Sequence, residues 1–487
     1  MLAQIADLAP RGAFVWNGIH RDARNSDFSP VEVSSDLTFA WSALDGAAVL
    51  FGPSIGPDRN RYVATGQGDG SPHLHCFSPD GQLLARSDPE AGQPGARVAP
   101  DVPLFDDVGR LFVSDKSSTW CFGARFERLW RTDFSAFGVD GGFISTVLTR
   151  SGLVGGIAMD GKVVLLDRQS GELAIDILQL PVGKPFPAPP RMPGLWQNGM
   201  MSAALVAEVE PGFFGYGSAV TCSPAISPST GRIFIPFSDA ANGRSRLAAI
   251  DEGQGSISLA WLSDLEGVCT SSPAISPDGR RIHTVNGRGI MHAFDCASGE
   301  LLWMRDGCGM AASPTLDASG NVYSAGRDSV SGVSQLLAID GQSGDVLWRT
   351  TFEGLAREAL PDRAIVPGFP NPSPTGVANS VPTVTPGHVL LVVNLGYDFA
   401  PPGGGPRLHQ PHIPVLVVLD RDNGTVLSTN RLRDTSEAVI VVGDDHRLHV
   451  CHAALVSSMF HFGINPHLPE SHRSPLVPVG GFSTFSW

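Results

Sequence analysis

The sequence predicts an all-β chain folded as an eight-bladed propeller of four-stranded antiparallel blades. Three observations carry that reading: a composition rich in turn formers and poor in charge, a repeat of near-constant length, and an incomplete unit at each end of the chain. Glycine (56) and proline (39) make up close to a fifth of the 487 residues, against roughly 12% in ordinary chains. Charged residues are 17% and hydrophobic residues 42%. A disordered chain shows the reverse balance, and a long helical protein does not carry so many helix breakers. Many short strands joined by tight turns remain.

The first strand of each unit is announced by a short motif: Ser223-Pro-Ala-Ile-Ser, Ser272-Pro-Ala-Ile-Ser, Ser313-Pro-Thr-Leu-Asp and Val381-Pro-Thr-Val-Thr. A β-branched run follows, as in Arg232-Ile-Phe-Ile or His388-Val-Leu-Leu-Val. The third run ends in Asp: Leu247-Ala-Ala-Ile-Asp251, Met291-His-Ala-Phe-Asp295, Leu337-Ala-Ile-Asp340, Val417-Val-Leu-Asp420. An Asp-x-x-x-Gly turn then leads to a fourth run that often ends in Trp, as at Trp303 and Trp348. That last slot falls at Trp41, Ala85, Trp130, Ile175, Trp261, Trp303, Trp348 and Ser428, in steps of 44, 45, 45, 86, 42, 45 and 80. The two double steps hold Pro/Gly-rich insertions, at about 181–217, 354–378 and 396–414, rather than further units. Eight units at this period describe a propeller.

The first unit, Leu37-Thr-Phe-Ala-Trp41, lacks three strands, and the C-terminus supplies them. Ala438-Val-Ile-Val-Val, Arg447-Leu-His-Val-Cys and Leu455-Val-Ser-Ser-Met-Phe are read as those strands, and 463–487 as a tail. The N-terminal strand then closes the eighth blade and removes the open edge of a linear array. The whole chain, 1–487, reads as one propeller domain.

These residues resemble a known family. The stretch Ala338-Ile-Asp340-Gly-Gln-Ser-Gly344-Asp-Val-Leu-Trp348 is similar to the tryptophan-docking repeat of the pyrroloquinoline-quinone (PQQ) propeller superfamily. That superfamily holds the quinoprotein alcohol dehydrogenases and cofactor-free eight-bladed relatives, including scaffold propellers of the outer-membrane assembly lipoprotein kind. The full Asp-x-x-x-Gly-x-x-x-Trp pattern stands at 295–303 and 340–348, and the turn alone at 167–171, 251–255 and 420–424. The motif residues are structural, so the resemblance speaks for fold more than for function. It implies a quinone cofactor only for members that carry an adjacent Cys-Cys pair beside it. This chain has no such pair, no matching calcium-ligand set and no c-type haem motif, so no cofactor is expected and PQQ with calcium is disfavoured.

A net charge of -14 argues against nucleic acid, whose affinity rests on neutralised phosphates, and against an electrostatic membrane anchor. No apolar run reaches the ~18 residues of a membrane-spanning helix. Only Lys116, Lys162 and Lys184 could serve a Schiff base. The seven cysteines are scattered and odd in number, which favours free thiols in a reducing compartment. The expected location is cytoplasmic, or periplasmic or secreted had a signal peptide been removed, and the expected state is a monomer.

In a four-stranded blade the D-to-A and B-to-C connections leave on one face, and every long connection here belongs to that set. Loops on a rigid scaffold carry function, so this face is the expected binding face for a small molecule or protein segment. His73, Tyr397 and His452 sit at strand exits of neighbouring blades 1, 7 and 8, with Arg288 and Arg327 on blades 5 and 6. Two imidazoles, a phenol and two guanidinium groups suit proton abstraction with charge stabilisation, as in a lyase or hydrolase, or binding of a carboxylated ligand. Lys116, Asp239, Asn394 and Trp196 complete the expected ligand-binding set. Six His fall between 446 and 472, but none shows H-E-x-x-H spacing, so no metal site is assigned. His409 and His412, in a Pro-rich stretch, are expected in an exposed loop.

Overall fold

The computed structural model describes residues 16–68, 70–95, 101–187, 200, 217–239, 242–253, 255–269, 271–309, 313–363, 373–378, 380–399 and 408–487. Strands pair antiparallel into eight sheets, seven of four strands and one, in blade 7, of five, where Ser373–Ala378 and Thr383–Val384 both pair with His388–Phe399. Blades 1 to 6 span 54–86, 104–133, 147–179, 225–266, 274–305 and 315–351, and blade 7 spans 373–431. Blade 8 combines Val441–Val442, Arg447–Cys451 and Phe482–Ser486 with the N-terminal Thr38–Ala43 as its outer strand. The expected eight-bladed fold and its closure by the N-terminal strand are both present. The low charge has its cause here. B and C strands are buried on both faces, and their apolar clusters join neighbouring blades, as where Ile157 and Val163 pack with Ile233 and Phe237.

The third strand of blade 8 is a correction. Leu455–Ser458 is helical and continues into further helical turns, while Phe482–Ser486 takes the strand position. The 455–460 run has the apolar content of a strand, but it follows Ala453-Ala454 and carries two serines, and neither favours pairing. The B-to-C connection of blade 8 therefore spans 452–481, and the supposed tail holds the strand that completes the blade. Blade 7 differs too. Most of the 396–414 insertion is strand, because His388–Phe399 and Leu408–Asp420 form one long hairpin.

The repeated motifs have distinct physical duties. The Asp-x-x-x-Gly turn closes with Gly N–H donating to Asp C=O, at 2.8–2.9 Å for Gly171, Gly299, Gly344 and Gly424. The Asp carboxylate accepts the intervening amides, as Asp340 does from Gln342 and Ser343 at 2.8 Å. Each such Gly supports the indole of the preceding blade. Trp303 Nε1 donates to Gly341 O at 3.3 Å, and Trp348 Nε1 to Arg421 O at 2.8 Å. The Ser of the Ser-Pro motif stitches inner strands together: Ser223 N donates to Ser272 Oγ, and Ser272 N to Ser313 Oγ, both at 3.1 Å.

The N-terminal segment before the closing strand fills the inner ring. Inner strands of a propeller present an unpaired edge to the axis. Here Ile55 N donates to Trp16 O, Ile226 N to Ala23 O, Ile275 N to Arg24 O, Leu316 N to Ser26 O and Val384 N to Asp27 O, at 2.6–3.1 Å. Asn17 exchanges two bonds with the backbone of Phe105, and Asn25 Nδ2 donates to Pro224 O and Pro273 O. One short segment thus ties six of the eight inner strands from within. No helix among the described residues is long and apolar enough to cross a membrane.

Candidate functional site

Described parts of three long connections, in blades 6 to 8, meet on one face. After blade 6 the helix Glu353–Ala359 opens the 354–378 insertion. The blade 7 hairpin rises beside it, and the 452–481 connection of blade 8 packs against that hairpin. Arg363 joins the three. Its guanidinium donates to Gln410 Oε1 at 2.9 Å, to His472 O at 3.1 Å and to His412 Nε2 at 2.6 Å. It also lies 4.0 Å from the centre of the Tyr397 ring. Burial and the adjacent guanidinium push the His412 imidazole down to about 3, so it stays a neutral acceptor. Among the described residues Arg363 has no carboxylate partner. Arg commonly pairs a carboxylate in a bidentate fork, and here neutral acceptors take that place.

Gln410 extends the network outward. Its amide donates to Asn465 Oδ1 and His472 O, and Asn465 in turn holds both backbone groups of Ser474. Asn465 and Ser474 also line an open surface depression of about 460 Å³, together with His461, Pro466, Arg473 and Pro475. Its two ionisable wall residues, His461 and Arg473, are both basic.

The expected site residues do not form one group. His73 is buried, with Nδ1 against Pro94 O at 2.7 Å. His452 is buried on blade 8, with Nε2 against Ser483 Oγ at 2.8 Å. Tyr397 is buried too and donates from its hydroxyl to Pro361 O at 2.7 Å. Arg288 is an exposed rim residue paired with Glu266 at 2.7 Å. Arg327 is exposed, donates to Gly332 O and lies 3.8 Å from Asp398. Among the described residues, no hydrogen bond, ion pair or ring contact joins any two of these five. Lys116 is exposed at the blade 2 B-to-C turn. Asp239 is buried among Asn242, Arg244 and Arg246. Asn394 is fully buried, and neither atom of its side-chain amide has a hydrogen-bond partner. Trp196 lies outside the described residues.

His409 and His412 correct the loop reading, since both stand in a strand with shielded side chains. Prolines 411 and 414 misled that reading; proline is tolerated there because the hairpin is bulged at 395–396. The His between 446 and 472 are dispersed: His446 packs on Trp487, His449 accepts from the buried Arg61 at 3.0 Å, and His472 reaches the Arg363 network. Arg363, Gln410 and Asn465 were missed in the sequence, where none stands in a motif. The one usable signal was the alternation His409-Gln-Pro-His412 leading into a β-branched run.

No three His, Cys, Asp or Glu side chains among the described residues are grouped to hold a metal ion. All seven cysteines are buried and free.

A family model described as "Outer membrane protein assembly factor BamB" matches residues 243–353 and 288–399. No curated protein matches the sequence. Among solved structures, a europium-containing methanol dehydrogenase aligns with TM-score 0.59 at 12% identity, over 97% of this chain and 98% of its own. A quinohemoprotein alcohol dehydrogenase of Pseudomonas putida aligns with TM-score 0.60 at 14% identity, covering 98% and 80% of the two chains. That of Comamonas testosteroni gives 0.59 at 13%, covering 97% and 80%. The chain has the fold of the PQQ-repeat propellers.

Proposed function

We propose that this propeller binds a carboxylate-bearing small molecule or a protein segment on its insertion-bearing face. The observation that carries the reading is the open depression of about 460 Å³ lined by His461 and Arg473, beside the Asn465–Gln410–Arg363 network. A basic lining suits an anion, because a guanidinium matches carboxylate geometry. The family model over blades 4 to 7 is named for an assembly factor, which favours a protein segment over a metabolite. The lyase or hydrolase alternative draws no support from His73 and His452, since both are shielded and engaged. The quinone-dependent alternative rests on the fold shared with the alcohol dehydrogenases.

Calorimetric titration of the full-length protein with succinate, citrate and a short peptide, each peptide tested with a free and an amidated C-terminus, tests the reading. Arg473→Ala, an exposed change, is expected to leave the melting temperature alone and weaken carboxylate binding about tenfold, near 1.4 kcal/mol. Equal binding of acid and amide peptides, or unchanged affinity in Arg473→Ala, rejects it.

A further inference from the structure

The chain holds five Asn-Gly steps, at Asn17, Asn198, Asn242, Asn286 and Asn423; Asn198 lies outside the described residues. Such a step carries its own reactivity. Glycine has no side chain to shield its backbone nitrogen, so that nitrogen can reach the carboxamide carbon of the preceding residue. Two conditions decide whether it does. Solvent must reach the step, and the glycine N–H must be free to give up its proton. Three of the four described steps fail. Gly18 is buried and donates to Ser54 Oγ at 3.4 Å, while Asn17 exchanges two bonds with Phe105. Asn286 is fully buried, and Gly287 N donates to Val268 O. Asn423 is exposed, but Gly424 is buried beneath the Trp348 ring and donates to Asp420 O at 2.9 Å.

Asn242 differs from all three. It and Gly243 are both exposed, in the blade 4 connection between Ile233–Asp239 and Arg244–Glu252. Among the described residues the Gly243 amide makes no hydrogen bond, and no atom lies within 4 Å of where a Cβ would stand. We propose that Asn242 is a modification site, at which the chain deamidates by its own chemistry. The Gly243 nitrogen attacks Cγ of Asn242 and closes a succinimide ring. The Cγ–Nδ2 bond breaks, and ammonia leaves with the proton that Gly243 gave up. Water then opens the ring at either carbonyl, leaving aspartate or isoaspartate. The product changes its surroundings. Asn242 Nδ2 donates to the buried Asp239 at 2.8 Å, and deamidation turns that donor into a second carboxylate, a like-charge contact. The other charged groups facing the pair are Arg246 and Arg244, at 3.4 and 3.9 Å from Asp239, and both also engage Asp264. Isoaspartate further inserts a main-chain carbon beside Asp239 and Arg244, the last pair of the ladder. Ageing thus loosens a hairpin of the insertion-bearing face, irreversibly.

The test is peptide mapping by mass spectrometry of the full-length protein, sampled through long incubation in warm, mildly alkaline buffer. Conversion at Asn242 is expected to outrun that at Asn17, Asn286 and Asn423 at least about fivefold, the equivalent of one amide hydrogen bond of about 1 kcal/mol. Gly243→Ala, whose methyl shields the nitrogen, is expected to slow conversion at Asn242 and leave the other positions alone. Asn242→Asp carries the product's charge on the native backbone. It is expected to speed hydrogen exchange across Arg244–Arg246, and Asn242→Ser, which keeps a neutral donor, is not. No conversion at Asn242, equal conversion at the four positions, faster conversion at Asn423, or an unchanged rate in Gly243→Ala overturns the assignment. Unchanged exchange in Asn242→Asp, or an equal rise in Asn242→Ser, overturns the consequence for the hairpin.

Discussion

Gly344 shows how much a single position carries. Its φ of +79° lies in the left-handed region, and a Cβ built there comes 2.7 Å from the Trp303 ring. Two costs therefore meet in Gly344→Ala: the backbone term of roughly 1–2 kcal/mol and the displacement of a docked indole. Gly332 separates them. It closes the same kind of turn on Asp328 at φ +70°, with open space where its Cβ would stand. Gly332→Ala is expected to lose only the backbone term, and Gly344→Ala at least about 1–2 kcal/mol more, as expected for overpacking a tight contact. Urea unfolding of the two variants measures the difference; equal losses mean that the indole does not hold the blades together. Such turns were legible because the motif residues work locally, in the turn that contains them. Arg363 was not legible, because its hydrogen-bond partners lie 47 to 109 residues away.

Among the elements, the segment at 16–29 has the widest reach. It contains no repeat motif and no strand alternation, so nothing in its own residues announced a role. The role is set by the inner strands, whose edge amides need acceptors near the axis. Asn25 is the pivot: φ is +56°, and its amide bridges Pro224 O and Pro273 O on blades 4 and 5 at 3.2 and 2.8 Å. Asn25→Gly keeps that backbone conformation and strands two buried carbonyls, at a cost of about 2–4 kcal/mol. Hydrogen exchange at the Ile226, Ile275 and Leu316 amides is expected to speed up in the variant, because these donate to the same segment. Unchanged protection there would leave the segment as a passive filler. Closure of blade 8 was predictable from the count of strands at each end. Its third strand was displaced by about 25 residues, because an apolar run of six suits a helix as well as a strand.

Across the whole molecule, buried histidines decide how the ring responds to acid. His75 and His283 are pushed down to about 4 and His412 to about 3, in each case chiefly by burial. His452 is lowered to about 4, and His449, beside Arg61 and Arg447, falls well below its ordinary range. All five are neutral in the fold, while the unfolded chain protonates them near pH 6.5. A base with a depressed folded pKa contributes stability above its unfolded pKa that is lost as pH falls toward the folded one. Two carboxyls act in the opposite sense. Burial raises Asp101 to about 7 and Glu437 to about 8, so between about pH 4 and 7 each is protonated in the fold and ionised in the unfolded chain. Their contribution grows as pH falls. For these seven groups alone, five protons taken up on unfolding against two released leave about three, a loss of roughly 4 kcal/mol per pH unit below pH 6.5. A domain stable by about 5–15 kcal/mol is therefore expected to lose cooperative structure between about pH 5.5 and 4. Melting curves from pH 7.5 to 4.5 measure the slope. Among the five, His283 is a tractable one to replace, since its hydrogen bond to Gly341 O is long at 3.4 Å. His283→Gln is expected to lower the slope by about one proton, and Asp101→Asn to steepen it by about one. A melting temperature that stays flat down to pH 5 in the wild type would mean that these imidazoles are reached by solvent.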